Sequence, residues 1–214
     1  FTNGTPYFFY VLIAPVAAVQ QKNAFVHRAT PANIRNNMTV LDTDGWSYNN
    51  PNAYLLVTPR KSANTRHETG VAYHADSFDR WAIYNAVSDG GASFEPANAM
   101  AVGSEFNVLV LPTGVLGNLR AFSHQINSNN IVGSGSWLDH EMVNGKQHIL
   151  LFFTLAWRPE YANPSGAHCP YHCQWWFDSL TDVHKIYKND HWLIWMPNAT
   201  PPAGTVFNIF AIIE

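Results

Sequence analysis

One six-residue stretch gathers the most reactive side chains of this chain: His168-Cys169-Pro170-Tyr171-His172-Cys173 holds two imidazoles and two thiols. Thiolate and imidazole are ligands for Zn or Cu(I), which makes His168, Cys169, His172 and Cys173 the metal candidates. Four ligands in so short a loop would strain a tetrahedral site, and structural zinc sites draw their ligand pairs from separated segments. The same spacing allows a local disulfide between Cys169 and Cys173, so disulfide, free thiols and bound metal all stay open, with the disulfide favoured.

His27 and His124 stand in matching contexts, with Asp42 and Asp139 following at the same distance, and could be read as general acid/base pairs. In the strand pattern Phe25-x-His27 the ring lies on the same face as the phenylalanine. The expectation is therefore a buried, hydrogen-bonded histidine that anchors a neighbouring strand. No Ser or Cys nucleophile recurs beside these histidines, and neither G-x-S-x-G nor H-E-x-x-H occurs. The sequence thus reads as a non-enzyme with no cofactor, covalent glycans aside. Asp76-Ser77-Phe78-Asp79 and Asp178-Ser179-Leu180-Thr181-Asp182 look like loose calcium loops but fit no defined ligand spacing.

Eight Trp and nine Tyr offer flat faces on which sugar rings could stack, which makes carbohydrate an alternative partner. Trp46, Trp137, Trp157, Trp175, Trp176, Trp192 and Trp195 are the candidates, and alternation turns one of Trp175 and Trp176 outward. Most large aromatics in a small domain are core.

The elements that must carry these residues repeat. Ala24-Phe25-Val26-His27, Asn33 and Leu41-Asp42 return 97 positions later as Ala121-Phe122-Ser123-His124, Asn130 and Leu138-Asp139. Leu55-Leu56-Val57-Thr58 matches Leu151-Phe152-Phe153-Thr154, and Asp79 with Ile83-Tyr84 matches Asp182 with Ile186-Tyr187. Gly103-Ser104-Glu105-Phe106-Asn107-Val108 matches Gly204-Thr205-Val206-Phe207-Asn208-Ile209. Each copy is long enough for a small domain, so the chain divides into residues 24–112 and 121–214, joined by a linker at 113–120.

Apolar runs at 53–58, 81–84, 106–111, 149–155, 192–195 and 206–213 are short, β-branched or aromatic, and bounded by Gly, Pro, Asn or Asp. They predict strands, and helical periodicity is almost absent. The expected fold is all-β: two homologous tandem antiparallel β-sandwich domains, each sheet covering the apolar face of the other, with a small barrel as the alternative. Asn107 and Asn208 interrupt their runs at the same place, either facing out or satisfying backbone groups at a sheet corner. Residues 1–23 have no counterpart before the second copy and form an N-terminal apolar arm, uncharged over 7–19. Tyr7, Phe8, Phe9, Tyr10, Val11, Leu12, Ile13 and Val16 are its assembly candidates, as a strand donated to a neighbouring copy.

Only 13% of residues are Asp, Glu, Lys or Arg, against about 25% in an ordinary domain. A surface so poor in charge must be solvated by amides, hydroxyls or attached sugars. The net charge of −3 is spread along the chain without a basic cluster, which argues against nucleic acid. No apolar stretch is long enough for a membrane-spanning helix. Sequons at Asn3, Asn37 and Asn198, together with the two cysteines, point to an oxidising compartment and an extracellular or cell-surface location.

The combination Ala24-Phe25-Val26-His27-Arg28-Ala29-Thr30 with Asn33, then Asp79-Arg80-Trp81-Ala82-Ile83-Tyr84-Asn85, then Phe106-Asn107-Val108-Leu109-Val110 resembles a tandem-repeated domain of unknown function in secreted bacterial proteins. The second copy departs from it at Ser123-His124-Gln125 and His184-Lys185-Ile186-Tyr187, and adds the cysteine loop. Two domains behind an apolar arm also resemble subunits of extracellular glycosylated filaments, whose N-terminal strand completes the next subunit. That resemblance implies a homopolymer built head to tail.

Overall fold

The structure is a computed structural model that describes residues 23–41, 50–61, 69–74, 79–85, 99–157, 184–188, 190–195 and 203–213. It is all-β, and no helix occurs among the described residues. Every apolar run expected to be a strand is one.

The strands form three sheets. The first has three strands, in the order β1 (Ala24–Arg28), β7 (Glu105–Leu111), β4 (Tyr54–Lys61). The second has eight: β2 (Ile34–Arg35), β3 (Met38–Val40), β6 (Arg80–Asn85), β5 (Thr69–His74), β12 (Leu150–Trp157), β15 (Val206–Ile212), β9 (Leu119–Gln125) and β8 (Val115–Leu116). The third has four: β10 (Ile131–Val132), β11 (Gly135–Leu138), β14 (His191–Trp195) and β13 (His184–Lys188).

The same order appears in each half of the chain. β1-β7-β4 and β2-β3-β6-β5 in the first half correspond to β9-β15-β12 and β10-β11-β14-β13 in the second. The halves join where β5 meets β12 in parallel, with Gly70, Val71 and Ala72 opposite Leu155, Ala156 and Trp157. That junction fuses one sheet from each half into the eight-stranded sheet.

Burial on both faces explains the strands that read as nearly unbroken apolar runs. In β4 and β7, Leu55, Val57, Phe106, Val108 and Val110 pack against Val71, Tyr73, Trp81 and Ile83. The alternate residues Leu56, Leu109 and Leu111 pack against Leu119, Ala121 and Phe210 of β9 and β15. On the other side of the eight-stranded sheet, Phe122, Leu151, Phe207 and Ile209 meet Leu138 and Ile194 of the third sheet. Met38, Ala82 and Tyr84 of the first half belong to that same core.

The structure corrects one detail of the repeat. β6 corresponds to β14, because the Leu41 N–H bonds the Trp81 carbonyl and Leu138 lies opposite Trp192 in the same position. Asp79-Arg80-Trp81-Ala82-Ile83-Tyr84 thus matches Asp190-His191-Trp192-Leu193-Ile194-Trp195, not the segment from Asp182 to Tyr187. Backbone geometry agrees: Asp79 and Asp190 both take positive φ, at 49° and 62°. Tyr187 instead lies on β13, opposite Trp192, as Tyr73 on β5 lies opposite Trp81. Residues 113–120 are a tight hairpin in which Gly114 and Gly117 supply positive φ, and β8 pairs with β9.

The two interrupting asparagines differ. Asn107 and its cross-strand neighbour Thr58 are exposed. Asn208 and its neighbour Thr154 are buried, at 0% and 3% exposure. There Asn208 Nδ2 donates to the Leu55 carbonyl at 3.2 Å, while Thr154 Oγ1 accepts from the Val57 N–H at 3.2 Å. Both bonds satisfy the outer edge of β4, which would otherwise meet the apolar layer with unpaired backbone groups.

Asn208→Ala removes a buried donor and leaves the Leu55 carbonyl without it, so it should destabilise by about 1–3 kcal/mol. Asn107→Ala, at the equivalent exposed position, should change stability by no more than about 0.5 kcal/mol. Urea unfolding of the two variants side by side reads the difference, and equal costs would show that the β4 edge does not depend on this bond.

Candidate functional site: two buried histidine clusters

The recurrent histidines are the centres of two nearly superimposable polar clusters. His27 on β1 is 1% exposed, and its Nε2 lies 2.8 Å from Thr39 Oγ1 on β3, in the facing sheet. Thr39 Oγ1 donates to Asn33 Oδ1 at 3.0 Å. Asn33 Oδ1 also accepts from the Thr30 N–H at 2.7 Å, while its Nδ2 donates to the Arg28 carbonyl at 3.1 Å. The second half repeats each bond. His124 Nε2 lies 2.8 Å from Ser136 Oγ, which donates to Asn130 Oδ1 at 2.9 Å. Asn130 Oδ1 accepts from the Asn127 N–H at 2.9 Å, and its Nδ2 donates to the Gln125 carbonyl at 2.8 Å.

This arrangement fixes the protons. The asparagine amide orientation is set by its two backbone partners, so Oδ1 can only accept from the hydroxyl. The hydroxyl has a single proton, spent on that bond, and must therefore accept from the histidine. Nε2 carries the proton in both clusters. A serine 2.8 Å from an imidazole resembles an activated nucleophile, but here the imidazole donates where a general base would accept. Thr39 and Ser136 are also 0% exposed, beyond reach of a substrate.

What the cluster does is structural. Each histidine crosses from one sheet to the next, and each asparagine closes the turn that leads into the following hairpin. Those hairpins match as well: Asn36 at φ 57° in one is Gly133 at φ 58° in the other. The sequence expectation of a buried anchoring histidine holds, with the anchor reaching across the layers. The hydroxyl partner was missed, because Thr and Ser at matching positions do not look like a repeat until their roles are seen.

Asp139 is not the partner of His124. Its Oδ1 accepts from Asn144 Nδ2 at 2.8 Å, and Asn144 Oδ1 in turn accepts from the His140 N–H and lies 3.2 Å from His191 Nδ1. His140 stacks on Phe122 at 4.0 Å, and burial lowers its pKa. Asp79 Oδ1 accepts from the Tyr73 hydroxyl at 2.7 Å; burial first, then Asp79, pushes that phenol up to about 12. Asp79 thus serves a turn.

The remaining candidates divide by position. Asn37 sits in the turn between β2 and β3, half-buried, with Nδ2 donating to the Asn85 carbonyl at 3.1 Å. Trp192 is half-buried, and its Nε1 donates to the Lys146 carbonyl at 2.9 Å, as Trp81 donates to the Asn50 carbonyl at 2.9 Å. Trp137 is half-buried beside His191. Asn3, Asn198, His168, Cys169, His172, Cys173, Trp46, Trp175, Trp176, Asp42, Asp76, Asp178 and Asp182 lie outside the described residues, as do all the assembly candidates Tyr7, Phe8, Phe9, Tyr10, Val11, Leu12, Ile13 and Val16. Among the described residues no group of three or more His, Cys, Asp or Glu is placed to hold a metal, and no helix is long and apolar enough to cross a membrane.

The fold and the clusters together define an all-β protein whose recurrent polar residues hold sheets together. The chain belongs to the family described as Domain of unknown function (DUF7452), which matches residues 6–110 and, overlapping, 70–211. No curated protein and no solved structure matches it.

Burial lowers His124 from its ordinary 6.5 to about 4. The unfolded chain therefore binds the proton more readily, and stability falls as pH drops from 6.5 towards 4. This group alone accounts for a loss on the order of 3 kcal/mol by pH 4. His124→Gln keeps a donor towards Ser136 but does not titrate, so its urea-unfolding free energy should fall less between pH 7 and pH 4.5 than that of the native protein. Identical pH slopes would show that His124 is not the titrating group.

Proposed function

We propose that the chain is a structural subunit of an extracellular, glycosylated filament, assembled head to tail as the N-terminal arm of one copy adds a strand to the next. The carrying observation is the parallel pairing of β5 with β12: the two halves associate by continuing one sheet across their boundary. Strand addition is thus the mode by which units of this design already join. Two tandem copies over residues 24–112 and 121–214 fit the repeated strand order and the repeated histidine clusters. A donated strand gains a ladder of hydrogen bonds and buries alternate side chains. Burying Phe8, Tyr10, Leu12 and Val16 would contribute about 5–10 kcal/mol before ordering costs. Sugars on Asn3, Asn37 and Asn198 would solvate a surface poor in charge.

Deleting residues 1–20 should convert filaments into folded, dispersed subunits, read by electron microscopy and light scattering. A full-length protein that is monomeric at micromolar concentration and forms no filaments would overturn the reading.

A further inference from the structure

The contact between the halves has a short and well-defined grip. On the second half, Thr154 and Asn208 bond the edge of β4, and the next three residues of β12 pair with β5. The first half owns the same surface. Thr58 lies opposite Asn107, as Thr154 lies opposite Asn208, and Pro59, Arg60 and Lys61 follow in sequence where Leu155, Ala156 and Trp157 follow Thr154, although β4 shifts register between Pro59 and Lys61 where the pairing of β12 with β15 shows no shift. This copy of the grip faces outward. Among the described residues Asn107 Nδ2 bonds its neighbour Thr58 Oγ1, at 3.4 Å, and Val26 in the same row is 44% exposed.

The gripped surface is repeated too. β13 stands to β14 as β5 stands to β6: His184 lies opposite Trp195 and Tyr187 opposite Trp192, like Gly70 opposite Tyr84 and Tyr73 opposite Trp81. The outer side of β5 is occupied by β12, whereas β13 is the last strand of its sheet among the described residues. Among the described residues the chain therefore carries a used grip and a used edge in its middle, with a second grip on its first half and a second edge on its second half.

We propose that Thr58, Asn107 and the backbone of residues 59–61 form an interaction surface for a second copy of this chain, which presents its β13 edge as β5 is presented internally. The inference rests on the filament reading above and deepens it, adding to the arm a contact between folded bodies. A second copy is the occupant because the matching edge is built from the same chain, and its fit is displayed in the internal contact. Such a contact is heterologous, so it propagates without closing. Pro59 stands at the rung where Leu155 meets Gly70 internally and has no N–H to donate, so the external match has one donor fewer than the internal one. The long Asn107–Thr58 bond is a small loss when both groups turn to a neighbouring strand.

The test uses the full-length chain with Asn107→Arg, and Asn107→Asp as a gentler second variant, in sedimentation velocity up to about 100 µM and by electron microscopy. Asn107 is exposed, so thermal unfolding should be unchanged, while association should weaken by about tenfold or more. Asn107→Arg retains its β13 edge, and mixing it into the native protein should shorten polymers in proportion to its fraction. If Asn107→Arg lowers the unfolding midpoint, Asn107→Asp carries the comparison. Polymers of native length and concentration dependence in the variants would overturn this contact and leave the filament reading standing on its arm. Weakened association without shortening in the mixture would overturn head-to-tail use of the surface. A native chain that stays monomeric throughout would overturn both.

Discussion

A backbone amide or carbonyl shut inside an apolar layer without a partner costs about 1–3 kcal/mol, and this chain is arranged around avoiding that cost. Where Leu55 to Val57 of its three-stranded sheet are covered on both faces, the edge of β4 cannot turn to water. Two side chains from the other half, Thr154 and Asn208, complete that edge. Elsewhere the solution is the same in kind. The outer side of β5 is completed by β12, and the turns before β2 and β10 are completed by Asn33 and Asn130.

The histidine clusters belong to the same economy. In each, an imidazole donates to a hydroxyl, the hydroxyl to an asparagine, and the asparagine to a backbone carbonyl, so one chain of bonds links two sheets and a turn. The direction of proton donation separates such a cluster from a catalytic one built of similar residues. Burial then has a consequence for solution behaviour: a neutral imidazole held among apolar groups ties the fold to pH through His124.

Near-identical local sequences end in different surroundings. Thr58 with Asn107 and Thr154 with Asn208 occupy the same rung of equivalent sheets, yet one pair is exposed and the other carries the contact between the halves. The difference follows from order along the chain, because only one half has the other placed against it.

Local pattern was enough for the strands β4, β6, β7, β12, β14 and β15, for the all-β class and for the fate of His27 and His124, because alternation and short apolar runs report which face of a strand is buried. Asp79-Arg80-Trp81-Ala82-Ile83-Tyr84 and Asp190-His191-Trp192-Leu193-Ile194-Trp195 were equally visible, but a shift in spacing between the halves drew the match to Ile186-Tyr187. Length differences in connecting loops slide an alignment without moving a strand, and pairing across the sheet is what fixes the correspondence. The role of Thr39 and Ser136, the fusion of two sheets at β5 and β12, and the burial of Asn208 but not Asn107 are decided by residues far apart in the chain. A hydrogen bond from residue 208 to residue 55 has no local signature, since it depends on which sheet edge the fold brings within 3.2 Å.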